Sequence, residues 1–104
     1  MLITTTTAIA GRPVSAYLGV VAGETILGAN IFRDLGAQLR NITGGRAAGY
    51  EKELRRGRDE AMAEMQQAAE ALGADAIIGV DIDYETVGSS MLMVTTSGTA
   101  VKLS

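Results

Sequence analysis

Between residues 46 and 72 the apolar and small side chains keep a helical period, and straight after Gly73 the period becomes two. Tyr50, Leu54, Gly57, Ala61, Met65, Ala68 and Leu72 step by four or three, so they share one face of a helix. Glu51, Arg55, Arg56, Asp59, Glu60 and Glu64 take the other side. There Glu51–Arg55 and Arg56–Glu60 stand four apart, the spacing at which opposite charges meet on a helix. Such a helix runs roughly 40 Å at 1.5 Å per residue, longer than a small globule needs. Gly57, Ala61 and Ala68 on its apolar face let another backbone come close. Gly73 ends it. Beyond, Ala76, Ile78, Val80, Ile82 and Tyr84 alternate with Asp75, Ile77, Gly79, Asp81, Asp83 and Glu85, which predicts a strand with the first set on one face and the second on the other.

A long helix running directly into a strand calls for a sheet with a helical layer. Residues 2–9 are rich in Thr and Ile and are predicted as a strand. Gly11-Arg12-Pro13 marks a turn, and residues 14–21 read as a second strand with Val14, Ala16, Leu18 and Val20 on one face. Gly23 and Gly28 bracket a predicted loop leading to Asn30, a residue type suited to start a helix. Ile31, Leu35, Leu39 and Ile42 then give a shorter helix, stopped by Gly44-Gly45. After the strand that starts at Ala76, Gly88-Ser89-Ser90 turns the chain back into residues 91–103, a strand expected to bend or bulge at Gly98. The predicted architecture is α+β in the order ββααββ: a mainly antiparallel sheet covered on one face by two helices, one of them long. No repeat, low-complexity tract or linker divides the chain, so residues 1–104 form one domain.

Composition narrows what that domain can do. Aromatic residues make up 4% of the chain and Trp is absent, so the core is aliphatic and each residue buries less area than an aromatic would. A domain of this size buries only about 60–70% of its unfolded surface on its own. Association with further copies is therefore expected, with the glycine- and alanine-lined helix as the apolar surface that a lone subunit fails to satisfy. There is no Cys, which excludes disulfides, thiolate metal sites, iron–sulfur clusters and cysteine nucleophiles. There is no His, so the usual base near neutral pH and the commonest transition-metal ligand are missing as well. A net charge of −3 argues against a nucleic-acid partner, which calls for a basic footprint. The first residues lack the basic and apolar regions of a signal peptide, and no apolar run approaches the ~18 residues of a membrane span. The expected setting is the cytoplasm, with no membrane partner.

Several side-chain groups are candidates for chemistry. Asp81, Asp83 and Glu85 could offer oxygen ligands to a hard cation. Alternate residues on a strand stand nearly 7 Å apart, however, and a solvated polar face accounts for them more simply. Met91 and Met93, on one strand face, are soft-ligand candidates for Cu(I), although methionine is more often core filler. Gly44, Gly45 and Arg46 at a helix start could hold an anion through free N–H groups, the helix dipole and a guanidinium. They do not match a phosphate-binding loop, and a helix stop followed by a helix start also explains the glycines. Tyr50 and Glu53 lie within a turn of Arg46 and complete a small polar cluster. No nucleophile or metal accompanies it, and the serines have no His to activate them. The chain is thus read as a non-enzyme without a resident cofactor.

Taken together, Gly28-Ala29-Asn30-Ile31-Phe32-Arg33-Asp34, Gly44-Gly45-Arg46 with Tyr50-Glu51-Lys52-Glu53-Leu54, Gly73-Ala74-Asp75-Ala76-Ile77-Ile78-Gly79-Val80 and Gly98-Thr99-Ala100-Val101 resemble the YbjQ-like family of small bacterial and archaeal proteins. The segments 81–88 and 91–93 look similar to its enterobacterial members. The resemblance covers nearly the whole chain. It implies an α/β subunit of a ring-shaped pentamer whose partner is itself, a heavy-metal-binding role inferred for the family, and no assigned activity. It marks residues 44–46 and 73–80 as features of the fold. The expected function is a cytoplasmic homo-oligomer that binds a small ligand, an ion or a protein. The alternatives are a cation or heavy-metal binder using Asp, Glu or Met at the ring axis, and an enzyme whose site forms between subunits.

Overall fold

The computed structural model of the chain describes residues 1–28, 48–88 and 91–104. Among them the order is β1 (Leu2–Ile3), β2 (Val14–Leu27), α1 (Ala48–Ala71), β3 (Ala76–Val87) and β4 (Met91–Leu103). This is ββαββ with a single helix, where ββααββ was expected; the predicted helix over residues 31–42 lies outside the described residues. The strands form one sheet in the order β1-β3-β4-β2. β4 is antiparallel to both neighbours, while β1 runs parallel to β3, which makes the sheet mixed.

The helix ends as its glycine foretells. Gly73 has φ +78°, its N–H donates to the Glu70 carbonyl at 2.9 Å, and the Ala74 N–H donates to the Ala69 carbonyl at 3.1 Å. That pair of bonds is the Schellman arrangement, which needs a left-handed residue at this place. One side of α1 packs on β2 and β4 and touches β3 only lightly. Ala61, Met65 and Ala69 are fully buried there, and Gly57 is buried against Leu27 and Val94. The expectation that this stripe is left unsatisfied in a lone subunit is corrected: its small residues receive the subunit's own sheet. Leu72, assigned to the same stripe, is half exposed.

Other expectations fail at particular residues. The first strand shrinks to two residues because the threonine hydroxyls compete for the backbone. The Thr6 N–H donates to Thr4 Oγ1 at 3.2 Å, and Thr6 Oγ1 donates to the Ala8 carbonyl at 2.7 Å. The loop expected after Gly23 is strand instead, continuing to Leu27. Gly23 is needed for close approach: a Cβ there would overlap the Ala61 carbonyl of α1. The buried Thr96 hydroxyl donates to that same carbonyl at 2.9 Å.

Gly98 likewise faces packed neighbours, with Ile77 Cγ2 2.6 Å from where a Cβ would sit. The register shift expected there falls in β3, between Ile78 and Asp81, where Gly79 takes φ +61°. A bulge adds one residue and so reverses which side chains face which way. Ile77 and Val80, predicted on opposite faces, therefore share the core under α1 with Val21, Met65, Ala69 and Ala100. Ala76 and Ile78 turn to the other face, where Val101, Val14, Leu103 and Ile9 gather around them.

Candidate functional site

Past Gly79 the reversed alternation sends Val80 and Ile82 toward the core beneath α1, with Ile82 only partly buried there. It sends Asp81, Asp83 and Glu85 to the far face. Directly opposed residues share a face in an antiparallel pair, so the register extends that face across the sheet. Asp81, Asp83, Glu85 and Val87 oppose Ser97, Thr95, Met93 and Met91. On the next strand Ala22, Glu24 and Ile26 oppose Ser97, Thr95 and Met93. The acidic row and the two methionines, separate candidates in the sequence, thus lie on one surface.

Among the described residues this surface is covered at one end, by the segment carrying Ile9. Toward the β3–β4 turn the three carboxylates are exposed, Met93 is partly exposed and Met91 is exposed. Asp83 and Asp81 share a hydrogen bond that favours the protonated acid. With repulsion from Asp81, some desolvation and repulsion from Glu85, it raises the Asp83 pKa above its ordinary value.

The sheet's edge is as open as its face. β2 is an edge strand of 14 residues. It carries Tyr17, Val20 and Ile26 at 73%, 81% and 55% exposure. On the opposite edge β1 covers β3 only at Ala76 and Ile77, and Thr4 and Thr6 extend the contact to Val80. Among the described residues, β3 beyond that point has β4 as its only neighbour.

The expected anion cluster is not brought together by the described residues. Gly44, Gly45 and Arg46 lie outside them, as does the Tyr50 side chain. Glu53 belongs to a different arrangement, accepting from Arg56 Nη2 at 2.7 Å and Nε at 2.9 Å. Arg56 also reaches Glu60 at 2.8 Å, as the i,i+4 spacing foretold. Held by two carboxylates, Glu53 first, the guanidinium has its pKa raised.

A group the sequence reading passed over is an open cleft between α1 and β3, lined by Glu51, Leu54, Arg55, Arg58 and Tyr84. The run Arg55-Arg56-Gly57-Arg58 was its signal, three cations within about one turn of helix.

A family model described as "Putative heavy-metal-binding", that of the YbjQ type, matches residues 1–104. A UPF0145 protein of Bifidobacterium longum is 58% identical over 105 residues, covering 99% of this chain and 96% of its own. Another from Bifidobacterium longum subsp. infantis is 58% identical over 106 residues, covering 100% and 96%. A crystal structure of a protein of unknown function from Pediococcus pentosaceus, in the DUF74 family, superposes with a TM-score of 0.67 at 22% identity, covering 100% of this chain and 98% of that one. At that identity the likeness is one of fold. The residues present do not fit a heavy-metal centre within one subunit. Thiolate and imidazole are absent, and no three acidic side chains converge among the described residues.

Proposed function

The chain belongs to the YbjQ-like family, and from that footing we propose that it works as one subunit of a cytoplasmic homo-oligomeric ring, a binding module without catalytic machinery. The observation that carries this reading is β2, a long edge strand with three large apolar side chains in solvent. Natural edges are blunted by prolines, lysines or shortness. β2 has none of these within its 14 residues, Glu24 is its only charge, and the register shifts that also blunt an edge are confined to its start, between Val14 and Gly19.

The open stretch of β3 supports a ring over a two-fold dimer. Two unlike free edges on one subunit pair head to tail, and head-to-tail contacts close into rings. Five copies is the number that the family resemblance implies. The elongated subunit supports the same reading. Its radius of gyration is 16.9 Å, against about 13 Å for a compact domain of this length. No helix among the described residues is long and apolar enough to cross a membrane.

A second reading concerns the acidic row. Asp81 lies near enough to Asp83 to raise its pKa, a crowding of negative charge that a hard cation would relieve, and a ring would bring several such rows together. It differs from the soft-metal role, for which the side chains are wrong.

Amide hydrogen exchange at two protein concentrations tests the assembly. The β2 amides not bonded to β4 should be protected at high concentration and exchange freely on dilution. Free exchange at both concentrations would sink the ring.

A further inference from the structure

Charges on α1 are settled on one side and unsettled on another. Arg56 is clamped between Glu53 and Glu60. Arg55 and Arg58 stand three apart, close enough on the helix surface to repel each other. Neither forms a hydrogen bond or ion pair with another described residue. Glu51, the one carboxylate among the described lining residues, is engaged already. In a chain with 12 acidic and 9 basic residues, two neighbouring guanidiniums beside a single carboxylate form a local positive site.

The site also has a shape. The cleft encloses about 320 Å³, within the range of small-molecule pockets. Arg58 is half-buried and Arg55 exposed. Leu54 and the half-exposed Tyr84 supply an apolar wall. Tyr84 reaches this side because the bulge at Gly79 turns the even-numbered residues of β3 beyond it toward α1.

We propose that this cleft binds a small phosphate monoester, its phosphate held between Arg55 and Arg58 and its organic part against Leu54 and Tyr84. Each guanidinium can give two parallel N–H donors to phosphate oxygens, and a dianion matches two cations where a carboxylate matches one. A flat organic group also gains from contact with the phenol ring. This deepens the small-ligand part of the proposed function. The five described lining residues belong to one subunit, so binding stands or falls apart from the ring.

Calorimetric titration of the full chain with phenyl phosphate, at fixed ionic strength set by sodium chloride, tests the proposal. Saturable binding is expected. Arg55→Gln and Arg58→Gln should each weaken it about tenfold, as loss of a charge-assisted hydrogen-bonding partner does. Tyr84→Ala should weaken phenyl phosphate while leaving inorganic phosphate unchanged. These positions are exposed or half-exposed, and circular dichroism confirms that each variant is folded. Absence of saturable binding, equal affinity in the two arginine variants and the parent, or phenyl sulfate and benzoate binding as tightly as phenyl phosphate would overturn the proposal. Sedimentation of the same variants separates the two readings. Unchanged mass with lost binding supports a ligand site. Changed mass without phosphate binding assigns the arginines to a subunit contact and refutes it.

Discussion

The two faces of the sheet are made from the same strands, and one is finished while the other is not. On the helix side Val21, Leu27, Val94 and Thr96 meet Ala61 and Met65, all buried. Among the described residues no buried side-chain polar atom lacks a partner. On the far side, one residue along each strand, Val20 and Ile26 stand in solvent on the same face as Asp81, Asp83 and Glu85, with β4 between them. Period-two alternation delivers both surfaces at once. The difference teaches that the subunit's packing needs are met under α1, and that its unmet apolar surface lies on the sheet and its edge.

Damage to the finished face should cost most. Gly23→Val drives a branched side chain into the Ala61 carbonyl and is expected to lower stability by about 3 kcal/mol, read by urea denaturation. Thr96→Val keeps the volume but removes the hydroxyl that donates to Ala61, a loss of about 1 kcal/mol in the same assay. If either matched a surface substitution, helix and sheet would not meet as described.

On the unfinished face substitutions should leave the isolated subunit almost untouched. Val20→Asp with Ile26→Asp is expected to change subunit stability by roughly 0.5 kcal/mol or less, yet to abolish any dependence of the melting temperature on protein concentration. A large loss of subunit stability would show this face to be packed after all.

The smallest effect concerns Asp83. Its folded pKa is raised, so the native state holds the proton more tightly than the unfolded chain. Stability therefore falls as pH rises from the ordinary value of 3.8 through the folded value. Asp83→Asn should flatten that decline. Asp75 behaves oppositely: the Leu103 N–H bonded to it, and then Lys102 and Arg12, lower its pKa. Its contribution is present above 3.8 and lost as pH falls through the folded value. A pH profile of denaturation midpoints for the Asp83→Asn variant, unchanged from the parent, would contradict the raised pKa of Asp83.

How much of this could be read from the sequence depends on what each glycine does. Gly73 was legible because it sits where a helical period stops, and a capping glycine leaves that signature. Gly23, Gly79 and Gly98 look alike in the sequence but do two different things, since Gly23 and Gly98 make room for distant neighbours and Gly79 supplies a positive φ. Gly23 was read as a loop, yet it makes room for Ala61. Gly79 was read as an ordinary strand position, yet its positive φ reverses the rest of β3. The acidic row was legible as a row but not as the neighbour of Met91 and Met93, which only the β3–β4 register supplies. The cleft was illegible for the same reason: Arg55 and Arg58 are local, whereas Tyr84 comes from another element. The threonine run gave its β-branched signal truly, and its hydroxyls then overrode it.

The account stands on assembly through the sheet. Sedimentation equilibrium of the full chain at micromolar concentration measures it directly. A defined multiple of the 10.8 kDa subunit mass, falling to one subunit in the Val20→Asp, Ile26→Asp variant, is the predicted result. A single 10.8 kDa species across the concentration range would contradict it.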